Sequence, residues 1–280
     1  GLYIVVATNY AAQIAITEKK GSAMATVITG FTVSLVLGVP IGTFLAAYLN
    51  WRYIFLIIAD LTVFLLLLQL LPSIKGKKPI PFKQQIQIIK DRRVIMGLIT
   101  TIFWILGYTM VFAYISPLLS NGANFSIEMT SIALFVLGTF AFLGSRFGGY
   151  AVDKWGPNRT ISISLLVHAI SLFVLTVTQY SIIGVFITLA VWGGATWTTT
   201  SAKQFYLISL KPQSSETILS FNTALMNIGM MLGSALGGIL IQHTNIINLT
   251  WIGGLFVILA FIFINYSFNL NKAKLRKVRI

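Results

Sequence analysis

Long apolar blocks alternate with short polar breaks along the whole chain. The breaks mark out nine stretches, at 1–17, 23–49, 53–71, 95–119, 127–151, 160–178, 181–206, 216–241 and 248–268. Most are long enough for a hydrocarbon layer of about 30 Å, which takes about 20 helical residues. A spanning β-strand would instead show about 10 residues of alternating polarity, and these blocks are apolar all round. In lipid each backbone N–H and C=O needs an internal partner, so blocks of this kind are helices. The pattern predicts an all-α membrane protein with nine spans. Residues 1–71 carry the first three spans, 72–94 a polar linker, 95–268 six further spans, and 269–280 a basic tail. Within the linker, Ile86, Ile89 and Val94 recur at near-helical spacing, which predicts an interfacial amphipathic helix over 82–94.

Composition supports the pattern. Only 9% of residues are charged, against about 25% in soluble domains. The net charge of +14 does not point to nucleic acid, because the basic residues are dispersed among short loops and the tail. Their placement orients the chain. With residue 1 outside, every Lys and Arg except Arg52 falls at an inner break, in the linker or in the tail. Lys203 and Arg146, near inner ends of spans, read as snorkelling side chains. The absence of cysteine excludes disulfides and thiolate metal sites.

An internal repeat refines the architecture. Small residues recur four apart at Gly30, Ser34, Gly38 and Gly42, and again at Gly229, Gly233 and Gly237. A shift of 195 residues superimposes Ser34, Gly38 and Gly42 on the second row. Residues four apart share a helix face, so each row is a groove that admits a neighbouring backbone. The register pairs spans one to three with spans seven to nine and leaves spans four to six without partners. Twelve helices in two related halves are the expectation, nine of them here.

Three passages carry a resemblance to the major facilitator superfamily, and within it to the twelve-helix drug–proton antiporters. The run Leu37-Gly-Val-Pro-Ile-Gly-Thr-Phe-Leu, followed by Asn50-Trp51-Arg52, resembles the fifth-helix antiporter motif, with Asn50 in place of a glycine. The run Gly148-Gly149-Tyr-Ala-Val-Asp153-Lys154-Trp-Gly156-Pro-Asn-Arg159 resembles the family's loop signature between helices eight and nine. There Lys154 stands for an arginine, and Pro157 and Asn158 displace a basic pair. Trp192-Gly193 through Gln204, then Asn227-Ile-Gly229, is similar to helices ten and eleven of bacterial arabinose- and purine-efflux members.

The resemblance implies an MFS-type bundle in a bacterial cell membrane, monomeric, with a small-molecule substrate, the lipid bilayer and the proton gradient as its partners. It implies export of a sugar, purine or drug-like solute by alternating access with proton entry. Gly38, Pro40 and Gly42 are then a seal between halves. Gly149, Asp153, Lys154, Gly156 and Arg159 are a charged gate. The residues alone also admit a packing kink at Pro40 and a positive-inside anchor with a tight turn at Gly156. Ionisable groups inside spans are function candidates, which singles out Asp60 and His168 for proton coupling. The alternatives are a solvated Asp60 near the outer interface and a packed His168. Polar and aromatic positions inside spans form the candidate substrate wall: Asn9, Gln13, Trp104, Tyr108, Phe112, Trp197, Gln204, Asn222, Met226 and Asn227. A membrane-embedded enzyme lacks a converging nucleophile or a metal-ligand motif in this sequence. A truncated or accessory membrane protein without transport of its own is the remaining alternative.

Overall fold

The computed structural model of the chain describes residues 49–67 and 90–278, with 33–38 and isolated helical positions at 7, 10, 30, 41, 42 and 45. Among the described residues every regular element is helical. A π-helical stretch covers Ser34–Gly38, and α1 covers Trp51–Leu67. Then come α2 (Arg92–Phe112), α3 (Ile115–Ala123), α4 (Ile127–Trp155), α5 (Pro157–Thr178), α6 (Ile182–Leu210), α7 (Ser215–His243) and α8 (Asn248–Val278). Six of these helices, α2 and α4 to α8, are long and apolar enough to cross a membrane. The expected span 1–17, most of 23–49 and the linker up to residue 89 lie outside the described residues.

Caps set the helix starts. The Asp91 carboxylate accepts from the Arg93 backbone N–H and starts α2 at Arg92. Arg92, Arg93 and the buried Val94 therefore belong to the spanning helix and not to an interfacial one. Ser126 and Ser181 cap α4 and α6 in the same way. The expected single span 95–119 is broken at Ala113 and Tyr114, and α3 runs on to Ala123. The cause is Pro117, which has no N–H for the carbonyl of Ala113 and collides with it. Tails differ too: α4 continues to Trp155 and α8 to Val278, so hydropathy marks the lipid-facing part of these helices and not their ends.

The bundle is assembled around α2 and α6. Helix α6 packs on α4 and α5, α8 on α2 and α5, and α7 on α2. Missing side chains make these approaches close. A Cβ on Gly233 would stand 2.6 Å from the Leu106 carbonyl oxygen, and one on Gly229 would stand 3.0 Å from that of Ile102. The second glycine row is thus a groove filled by α2. On Gly193 a Cβ would stand 2.5 Å from the Leu137 carbonyl, and on Gly253 2.8 Å from that of Gly107. Hydroxyls bridge the same seams: Thr198 donates to the Gly144 carbonyl at 2.9 Å and Thr199 to Ser164 at 2.7 Å. At the far end Arg93 pairs with Asp91 and donates to Asn271, and Ser267 donates to the Arg93 carbonyl, tying α2 to α8.

The π-helical stretch packs against α4. Its last residue, Gly38, and Gly42 have nothing described within 4 Å of an added Cβ. The glycines of the first row therefore meet no described atom that closely, where those of the second do. Outward faces carry exposed Phe135, Phe140, Leu143, Phe147, Ile183 and Ile187, surface suited to acyl chains. An apolar cleft of about 330 Å³ opens between α4, α5 and α6 among Phe140, Leu143, Phe147, Ile163 and Val167. Its mouth is on this outer surface, and Ser164 and Thr198 of the helix seams lie in its lining.

Candidate functional site

Polar side chains from four spanning helices meet inside the bundle. His168, fully buried at mid-helix in α5, lies between two indoles. Trp192 of α6 donates its Nε1–H to His168 Nε2 at 2.8 Å, and Trp104 of α2 aims its Nε1–H at Nδ1 at 3.2 Å. The Thr196 hydroxyl stands 3.3 Å from Nδ1 and donates to the Trp192 carbonyl at 2.8 Å. A neutral imidazole has one lone pair and one N–H. We assign the lone pair to Nε2, which makes the shorter contact, and the proton to Nδ1, toward Thr196. Tyr108 closes the site: its ring lies 5.3 Å from Trp192 and is stacked 5.2 Å from Phe112.

A second focus lies beneath Trp104. Lys203 of α6 is 1% exposed, so the snorkelling expected from its sequence position does not occur. The ammonium donates to Thr101 Oγ1 of α2 and, at 3.2 Å, to Asn222 Oδ1 of α7. Thr101 in turn donates to Asn222 Oδ1 at 2.7 Å. Asn222 presents its amide Nδ2–H to the Met226 sulfur at 3.6 Å. The Trp104 ring lies 5.6 Å from the ammonium. No carboxylate pairs with Lys203 among the described residues.

The structure thus joins Trp104, Tyr108, Phe112, His168, Trp192, Asn222 and Met226, and adds Lys203, Thr101 and Thr196. A stripe on α6 could have revealed the additions: Trp192, Thr196, Thr199 and Lys203 fall at i, i+4, i+7 and i+11 on one face. Trp197 and Gln204, expected on the same wall, lie about 100–140° round α6 from that stripe, at about 100° per residue. Asn227 is exposed on α7. Asn9, Gln13 and Pro40 lie outside the described residues. Asp60 is exposed on α1, whose first turn Asn50 caps by accepting from the Arg52 N–H at 3.1 Å.

The loop motif falls at the junction of α4 and α5. Asp153, Lys154 and Arg159 are exposed there, and no described atom stands within 4 Å of a Cβ added at Gly149. Among the described residues neither cation pairs with Asp153. Lys154 donates to Tyr150 Oη at 3.3 Å, and Arg159 lies 6.0 Å over the Trp155 ring. The sharp reversal rests on Gly156, at φ 78° and ψ 160°, a region that only glycine occupies readily. Gly156→Ala is expected to cost about 1–3 kcal/mol, read as a lower thermal unfolding midpoint of the purified protein.

A bundle of long apolar helices with a buried aromatic and polar interior is the architecture of a multi-pass membrane protein. The chain belongs to the Major Facilitator Superfamily, whose family model matches residues 1–215. It is 38% identical over 271 residues to the uncharacterized MFS-type transporter YbcL of Bacillus subtilis (strain 168), covering 96% of this chain and 70% of that protein. It is 23% identical to a protein of Helicobacter pylori described as "Probable sugar efflux transporter", across 91% of this chain and 65% of that one. The fold is similar to the crystal structure of the Escherichia coli fucose:proton symporter FucP, with a TM-score of 0.66 at 12% identity, over 94% of this chain and 72% of that one.

Proposed function

We propose that the chain acts as part of a secondary transporter that exports a small organic solute by alternating access, in exchange for protons. The observation that carries this reading is the meeting of α2, α5, α6 and α7 on one buried aromatic and polar cluster within their spanning lengths. Sites that rocking halves expose alternately lie between the halves near the membrane midplane, and this cluster is the share that one half contributes. The efflux description of the Helicobacter relative supports export, and the symport of FucP supports proton coupling. On the register of the two small-residue rows we assign nine helices of a twelve-helix arrangement. Residues 1–71 belong to one half, 72–91 to the linker and 92–268 to the other half. The basic residues support an outer start, an inner tail 269–280 and an inner α4–α5 junction in a bacterial plasma membrane.

In this reading Gly149, Asp153, Lys154, Gly156 and Arg159 form the inner gate, and Gly38, Pro40 and Gly42 the seam between halves. Trp104, Tyr108, Phe112, Asn222 and Met226 line the path of the solute. Asp60 is the coupling candidate, because His168 would have to displace the Trp192 N–H from its one lone pair before it could hold a second proton. The test uses everted vesicles of cells producing the full-length protein, energised to be acidic inside, with labelled arabinose, adenine and ethidium. Accumulation of at least one probe that a protonophore abolishes is expected. Accumulation that survives the protonophore refutes antiport; no accumulation of any probe above vesicles lacking the protein counts against this solute range.

A further inference from the structure

We infer that the buried cluster takes an organic anion, a carboxylate on a flat apolar body, and that Lys203 anchors it. The inference rests on the transporter reading only in treating the cluster as a solute site.

Lysine, the asparagine amide and indole supply N–H donors, and lysine and indole accept nothing. At the upper focus two indole N–H groups point at one imidazole, which has a single lone pair. At the lower focus the ammonium has two oxygen acceptors, Thr101 and Asn222, for its three hydrogens. Both oxygens are neutral, and among the described residues the third hydrogen has only the π face of Trp104 nearby. The Asn222 amide ends on a thioether sulfur, a weak acceptor. Donors therefore exceed good acceptors on both sides of Trp104.

The charge balance points the same way. Lys203 is a cation 1% exposed inside a spanning helix, about two turns from the end of α6, and no described carboxylate faces it. A buried cation without a counter-charge is costly in a protein interior and is a functional-site candidate in a membrane. A carboxylate supplies the missing negative charge and about four acceptor positions at once. The body attached to it meets Trp104, Tyr108, Phe112 and Met226, surfaces that accommodate flat apolar groups.

The probes are benzoate and indole-3-acetate, each paired with its neutral amide, titrated calorimetrically against the full-length protein in detergent at neutral pH. We expect at least one acid to bind about tenfold or more tighter than its amide, in keeping with the strength of charge-assisted hydrogen bonds. Lys203→Met should erase that preference while leaving the ligand-free unfolding midpoint unchanged or raised, since a buried unpaired charge has been removed. A purely structural lysine would instead lower the midpoint. Lys203→Gln, which keeps polar contact with Thr101 and Asn222, serves if the methionine variant does not fold. Equal binding of acid and amide, no binding of either acid, or an acid preference that persists in a folded neutral variant overturns the assignment. Binding is read without a gradient or a transport direction, so failure of the export reading leaves this result intact, and the reverse.

Discussion

Gly144→Val is expected to lower the thermal unfolding midpoint and the yield of folded protein sharply, while Gly149→Val on the same helix changes either little. A Cβ on Gly144 falls onto the carbonyl oxygen of Gly194, and it would stand 2.7 Å from the Gly194 Cα. These are backbone atoms that no rotamer change can move aside. Helices α4 and α6 would have to separate, which also strains the Thr198 bond to the Gly144 carbonyl and the Ser201 bond to the Ser145 carbonyl. Overpacking costs about 1–3 kcal/mol where side chains adjust, and more where they cannot. We expect about 3 kcal/mol or more here, because helix association in lipid depends on close van der Waals packing. Gly149 has nothing within 4 Å of an added Cβ, and exposed substitutions usually stay within about 0.5 kcal/mol. Equal losses in the two variants would show that the seam between α4 and α6 is not what holds the bundle. Gly149→Val also separates stability from gating: a stable variant that no longer transports would place Gly149 in the moving part of the inner loop.

The helices were legible because lipid dictates them. Blocks at 127–151, 160–178 and 216–241 fall inside α4, α5 and α7, since a span must be both apolar and hydrogen-bonded within itself. What hydropathy could not mark was the helix beyond the lipid, as in α8 running to Val278, or the break that Pro117 makes in an otherwise apolar run. The Gly229, Gly233 and Gly237 groove was legible from its spacing of four, which is a property of one helix. The inner site depends on two or more helices at once. Trp104, Tyr108 and Asn222 stood out as polar or aromatic residues within apolar blocks. Lys203 did not, because its distance from the helix end suggests a side chain reaching for water. Its burial depends on which way α6 is turned, and that is set by Gly193 and Gly144 pressing α6 and α4 together. Those glycines and the Trp192–Lys203 stripe lie on one helix pair, so the packing seam and the chemistry share a cause.

Trp104 links the two polar foci, with its indole N–H toward His168 and its ring facing Lys203, and the His168 lone pair decides which indole is held. His168→Leu is expected to leave the Trp192 donor, now 2.8 Å from Nε2, buried without an acceptor. An orphaned buried donor costs about 1–3 kcal/mol. Two conservative variants resolve which nitrogen matters. The Gln side-chain tip reaches about as far as Nε2, and that of Asn about as far as Nδ1. If the lone pair is on Nε2, His168→Gln restores the acceptor for Trp192 and loses little stability. His168→Asn places its oxygen near Trp104 and leaves Trp192 orphaned, so it should fall close to His168→Leu. Thermal unfolding of the three variants in one detergent gives the order. The opposite order, with Asn above Gln, would move the lone pair to Nδ1, make Trp104 the held indole and leave Trp192 as the surplus donor. In that case the donor available to a solute lies on α6 and not on α2, and the acid preference of the site should then weaken in Trp192→Phe more than in Trp104→Phe.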